Sequence, residues 1–174
     1  MKHSRAALII GLIAAAALTR LVPHPPNFTP FAAVALFAGA YLGDRRLAFV
    51  VPLTALFLTD MLLGFHSTMP FVYAGMAITV CMGLWLARRR SMGRILAGAL
   101  TSSVLFFLLT NFGTWLMQDL YPKDLAGLMA CYAAGIPFFQ NSLAGVLLYS
   151  GALFGLMSLL DRSSGIRFAD HRNA

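Results

Sequence analysis

What most limits the folding of this chain is a succession of apolar runs, most of them about as long as a bilayer is thick, separated by short stretches that hold most of its charge. A membrane-spanning helix needs about 20 apolar residues, with about 17 tolerated. Candidate runs cover residues 4–22, 31–43, 47–65, 71–87, 95–117 and 137–160. The second is short and reaches spanning length only by borrowing from the polar, proline-rich stretch before it, which requires that stretch to lie against protein. With 59% hydrophobic and 11% charged residues, the 174-residue chain is far more apolar than a soluble domain of its length. The expected fold is an all-α membrane protein, a single bundle of six transmembrane helices within residues 1–174. Residues 124–136, apolar but followed by Pro137, are read as a short re-entrant or surface helix before the last span. The start, with its basic leader and apolar core, also has the shape of a signal peptide. A polytopic chain needs no cleavable signal, however, and cleavage would leave five spans.

The net charge of +7 does not point to nucleic acid, because the basic residues fall in clusters between apolar runs and form no stripe interleaved with aromatics. They report topology instead. Placing the N-terminus in the cytoplasm puts Lys2, Arg5, Arg45, Arg46, Arg88, Arg89, Arg90, Arg94, Arg162, Arg167 and Arg172 inside, and leaves only Arg20 and Lys123 outside. Both termini are then cytoplasmic, the expected location is the inner membrane, and the proline-rich segment 20–30, "RLVPHPPNFTP", faces outward.

With that orientation, most of the unusual polar residues converge on the outer side. Asp60 lies five residues before the expected end of its helix, about 7.5 Å deep at 1.5 Å per residue. A carboxylate at the bilayer centre costs roughly 2.5–3.5 kcal/mol, so Asp60 should have a reason to stay. It either binds a ligand or carries a proton inside the bundle, or it pairs with Arg20 or Lys123. Asn111, Thr114 and Trp115 share one helix face at i, i+3 and i+4, an arrangement that can wall an organic ligand or form an interhelical bond and an interfacial belt. His24, Asn27, Tyr73 and Asn141 complete the expected ligand-binding set with Asp60, Asn111 and Trp115. A metal at His24 and His66 would want a third ligand, and only Asp60 offers itself, so no metal or other cofactor is expected. Cys81 and Cys131 lack the spacing of a zinc site. There are no glutamates, and no P-loop, HExxH, GxSxG or GxGxxG pattern, so no enzymatic activity is expected.

Small residues recur at four-residue spacing: Ala7, Gly11 and Ala15 on the first helix, Ala35, Gly39 and Gly43 on the second, and Gly151 and Gly155 on the last. Such lines allow close helix approach, either within one bundle or, for the first helix, against a partner protein.

The strings "RLVPHPPNFTPFAAVALFAGAYLGDRR", "VPLTALFLTDMLLGF", "FVYAG", "TNFGTW", "LYPKDLAGLMACY" and "IPFFQNSLAG" resemble an uncharacterised bacterial family of integral-membrane transport proteins. That family is similar to the S components, the substrate-binding subunits, of energy-coupling factor (ECF) vitamin transporters. The resemblance covers Arg20 to about Leu160. It implies a six-helix protein that captures a small organic nutrient, vitamin-like or corrinoid-like, in a pocket closed by the outer loops. It further implies that small residues on the first helix, here Ala7, Gly11 and Ala15, meet a membrane coupling subunit joined to cytoplasmic ATPases. Cobalamin-binding S components place a cysteine near the pocket, and neither Cys81 nor Cys131 falls at such a place in the sequence. The contrasting expectation is a scaffold or assembly factor with no small-molecule substrate.

Overall fold

The computed structural model describes residues 2–163, and these form helices joined by short connections. The helices are α1 (Lys2–Leu18), α2 (Phe31–Tyr41), α3 (Arg45–Leu63), α4 (Met69–Leu86), α5 (Met92–Met117) and α6 (Leu125–Ser163), with one 3-10 turn, Thr19–Leu21, after α1. Four of them, α3 to α6, are long and apolar enough to cross a membrane, which marks the chain as a membrane protein by length and composition. Arg167 and Arg172, counted in the expected topology, lie outside the described residues.

Local signals set the helix ends. The Asp44 side chain caps α3 by accepting from the amides of Arg46 (2.6 Å) and Leu47 (3.2 Å), and Ser91 caps α5 by accepting from that of Arg94 (3.4 Å). Gly64 closes α3 at φ 103°, a backbone region that favours glycine. The connections after α1, α3 and α5 lie at one end of the bundle, called here the proline end. Those after α2 and α4 lie at the other, the arginine end.

The short second run is the centre of the bundle. Helix α2 has only 11 residues, about 16 Å at 1.5 Å per residue, and so does not span a bilayer alone. Nine of those residues are buried, and α2 packs against all five other helices. Protein groups meet its ends. The Pro30 carbonyl accepts from the Val34 amide at 2.8 Å. At the other end Arg90 donates to the Ala40 carbonyl at 2.8 Å and lies over the Tyr41 ring at 4.5 Å, a cation where a helix C-terminus favours one. Segment 20–30 does not lengthen α2 as a helix; beyond the 3-10 turn it is irregular.

Closest helix approach occurs between α2 and α4. A Cβ added to Gly39 would come within 2.8 Å of the Gly83 Cα, and one added to Gly83 within 2.9 Å of the Gly39 Cα. Two glycines facing each other let the backbones nearly touch, so dispersion contacts accumulate where apolar surroundings supply no other drive. The expected line on α2 thus packs inside the bundle through Ala35 and Gly39, while a Cβ at Gly43 would meet nothing within 4 Å. On α1 the buried residues are Ile9, Ile13, Ala16 and Ala17, while Ala7, Gly11 and Ala15 face away from the bundle.

Residues 124–136 correct the sequence expectation: they are not a separate re-entrant or surface helix. Leu125–Ser163 is one helix of 39 residues, with Pro137 inside it. The proline removes one amide donor and costs one backbone bond. Contacts from α5 hold both flanks: Phe107 packs on Tyr132 and on Phe139, with ring centroids 5.7 and 5.0 Å apart, and the Tyr132 hydroxyl donates to the Leu108 carbonyl at 2.9 Å. At about 58 Å, α6 is longer than a bilayer of about 40–45 Å including headgroups.

Candidate functional site

At the proline end helices α2 to α6 and the segment after α1 surround a cavity of about 470 Å³. Its walls come from α3 (Leu56), α4 (Val72, Met76), α5 (Phe106, Phe107, Thr110, Asn111, Thr114) and α6 (Cys131, Gly135, Phe139, Ser142). Arg20, Asn27, Thr29, Phe31, His66 and Thr68 bound it near the connections. Hydroxyls, amides and one guanidinium therefore share the space with aromatic rings and aliphatic side chains.

The charge at this site is assembled across the bundle. Asp60 is fully buried, near the end of α3. One of its oxygens accepts from Arg20 Nη1 and the other from the Tyr73 hydroxyl, at 2.9 Å. The same Nη1 donates to Thr59 Oγ1 at 2.9 Å, and Thr59 in turn donates to the Leu56 carbonyl at 2.8 Å. The Arg20 guanidinium also lies over the Phe31 ring, 5.2 Å from its centroid. Of the two readings of Asp60, pairing with Arg20 is the one present, and the pair explains how a carboxylate persists in so apolar a bundle: both of its oxygens are satisfied and its charge is balanced. Asp60 and Tyr73 lie beneath Arg20 and do not line the cavity, whereas Arg20 does. Both hydrogen bonds found for Arg20 among the described residues leave from Nη1.

The proline-rich segment forms the rim. Asn27 takes φ 61°, the left-handed region that asparagine tolerates better than most residues, and this turns the chain back toward the bundle. Backbone bonds from Phe28 to Pro25 (3.0 Å) and from Thr29 to Asn27 (3.0 Å) tighten the turn. Helix α6 holds it down: Asn141 donates to the Pro26 carbonyl at 2.9 Å and Ser142 to the Asn27 carbonyl at 3.2 Å. Gly145 lets the Thr29 backbone lie close, since a Cβ there would be 3.1 Å from the Thr29 carbonyl oxygen.

Of the residues expected to bind a ligand, the structure brings Asn27 and Asn111 to the cavity. His24 is exposed on the segment's outer side and Asn141 acts as a tether. Trp115 stands away from the cavity because its indole donates to the Pro122 carbonyl at 2.8 Å, while Lys123 bonds the carbonyls of Trp115 and Gln118. Together these two side chains fasten the α5–α6 connection.

Sequence reasoning named Arg20 as a possible partner of Asp60 but not as a residue of the cavity lining. It also missed Thr110, Ser142 and Cys131. The Cys131 thiol, on the cavity wall, donates to the Asn111 carbonyl at 3.4 Å. That position follows from α6 being continuous. Among the described residues no three His, Cys, Asp or Glu side chains converge as a metal site.

Residues 1–167 match the model of a family described as a family of unknown function, DUF6580. No curated protein and no solved structure matches the chain.

Proposed function

We propose that this chain, which belongs to the DUF6580 family, is a transport protein that captures a small organic nutrient in the cavity at the proline end. The observation that carries the reading is the cavity itself: about 470 Å³, closed by a tethered rim, with Arg20, Asn111, Thr110 and Thr114 set among Phe106, Phe107 and Phe139. Ligand sites of about 300–1,000 Å³ combine mostly apolar walls with a few placed polar groups in this way. The volume favours a vitamin-sized molecule over a corrinoid. The Arg20 guanidinium in its lining favours one with a carboxylate or another anionic group.

On this reading the N-terminus is cytoplasmic, the membrane is the cytoplasmic one and the rim faces outward, as the bias of basic residues supports. The exposed line Ala7, Gly11 and Ala15 is then the surface for a coupling subunit with its ATPases, in the manner of an ECF S component. A scaffold role would leave the polar lining of the cavity without a purpose.

The test is to purify the protein from cells in mild detergent and compare co-purified metabolites, by mass spectrometry, between wild type and a Thr110→Val, Thr114→Val variant. A small anionic compound should be enriched with wild type and depleted with the variant. If nothing below about the size of a vitamin is enriched, and uptake by cells lacking the protein is normal, the reading fails.

A further inference from the structure

A second, larger cavity of about 1020 Å³ lies at the arginine end, between α5 and α6. It is a groove along one face of α6, from Leu147 to Arg162, with Ile95, Leu96 and Ala99 of α5 on its other side. Gly151 and Gly155 keep it open: a Cβ at either would meet nothing within 4 Å. The sixteen residues from Leu147 to Arg162 are separated by fifteen helical rises, which make the groove about 22 Å long. That equals the depth of one leaflet, half of about 40–45 Å with headgroups included.

The groove is also graded along its length. Its deep part is mostly apolar, with the Ser150 hydroxyl among aliphatic and aromatic side chains, while Arg90, Asp161 and Arg162 gather at its mouth. The arginine end as a whole holds Arg45, Arg46, Arg88, Arg89, Arg90, Arg94 and Arg162 against the carboxylates of Asp44 and Asp161. An apolar channel one leaflet deep, ending in a surplus of cations, complements one class of membrane molecule in both length and sign.

We infer that this groove seats an anionic phospholipid, with an acyl chain along Gly151 and Gly155 and its phosphate at the Arg90 and Arg162 end. An acyl chain gains apolar burial only when it leaves water, so within a bilayer selectivity must come from the headgroup. The site is independent of the nutrient cavity and stands or falls separately from it.

Native mass spectrometry of the full chain, exchanged from detergent into nanodiscs of phosphatidylglycerol or of phosphatidylcholine, tests this directly. Wild type should retain one phosphatidylglycerol at collision energies that strip phosphatidylcholine, with at least about a tenfold difference in the lipid-bound fraction. Gly151→Leu together with Gly155→Leu, at positions where an added Cβ meets nothing within 4 Å, fill the groove and should abolish retention, and Arg162→Gln should erase the preference for the anionic lipid. Equal retention of both lipids by wild type would overturn the proposal, as would retention by the filled variant. Efficient disulfide cross-linking of Gly155→Cys between two copies in native membranes would also overturn it, because the groove would then hold a helix.

Discussion

The Tyr73 hydroxyl of α4 donates to Asp60 Oδ2 of α3 at 2.9 Å, while Arg20, at the end of α1, holds the other carboxylate oxygen. Helices α3 and α4 and the 3-10 turn after α1 thus meet on one buried charge, and the contributions of the two partners differ in kind. Asp60→Asn keeps the shape and can still accept from Tyr73, but leaves Arg20 without a counter-charge, and should cost about 3–5 kcal/mol. Tyr73→Phe removes one hydrogen bond to a charged acceptor and should cost about 1.5–3 kcal/mol. Thermal unfolding in detergent should rank the two in that order; equal losses would mean that the charge on Asp60 is not balanced by Arg20.

Removing both charges should be far milder than removing one. Arg20→Met with Asp60→Leu replaces a desolvated pair by apolar groups of similar size, a change that is often neutral or stabilising in buried pairs. The double variant should therefore recover most of the stability that either single variant loses. It should not recover anion binding, because Arg20 is the guanidinium lining the cavity. Unfolding and ligand-affinity measurements on the same preparation separate the two effects.

The glycines divide into two groups with opposite expectations. Gly39→Ala and Gly83→Ala each force a methyl group into the backbone of the facing helix, and overpacking of this kind costs about 1–3 kcal/mol. Gly11→Ala meets nothing within 4 Å and should change unfolding by no more than about 0.5 kcal/mol. Gly11→Leu should fold and bind ligand normally yet lose nutrient uptake in cells, if a partner helix docks on that face. Loss of folding in Gly11→Leu would instead assign the face to this chain's own packing.

How far the sequence foretold this arrangement depends on whether the cause was local. An all-helical chain follows from the apolar runs themselves, and Asp60 stood out because it alone among the aspartates lies inside such a run. Arg20 was named as one of its two candidate partners, since a buried carboxylate needs a cation within reach. The choice between Arg20 and Lys123 was beyond reach, because it depends on where the α5–α6 connection goes. Trp115 and Lys123 fasten that connection to itself, 2.8 Å from the indole to Pro122 being the decisive contact. The continuity of α6 was hidden for a similar reason. Gly135 and Pro137 are local break signals, and what overrides them is the packing of Phe107 against rings on both sides of the proline. Gly39 was legible through its four-residue spacing, but its partner Gly83 was not, because nothing local says which helix will face α2. The expected ligand-binding residues were chosen for side-chain chemistry, whereas contact with the cavity is decided by which face each helix turns inward, and His24, Asp60, Tyr73, Trp115 and Asn141 do not line it.

The rim supplies a prediction that separates rigidity from chemistry. Asn27 lines the cavity and also holds φ 61°, so a simple alanine substitution would confound loss of its amide with strain in the backbone. Left-handed conformation costs a residue with a Cβ roughly 1–2 kcal/mol, and glycine bears no such penalty. Asn27→Gly should therefore preserve the turn and the bonds that Asn141 and Ser142 make to the Pro26 and Asn27 carbonyls, removing only the amide. Asn27→Val should open the turn itself. If the rim acts by position, Asn27→Gly retains ligand affinity to within about threefold, whereas Asn27→Val and Asn141→Leu both lose affinity and expose segment 20–30 to limited proteolysis. If the amide is itself a ligand contact, worth about 0.5–1.5 kcal/mol net, Asn27→Gly weakens binding by up to about tenfold while its proteolysis pattern stays that of wild type. Equal affinity for all three variants would show that the segment closes the bundle without touching what it binds.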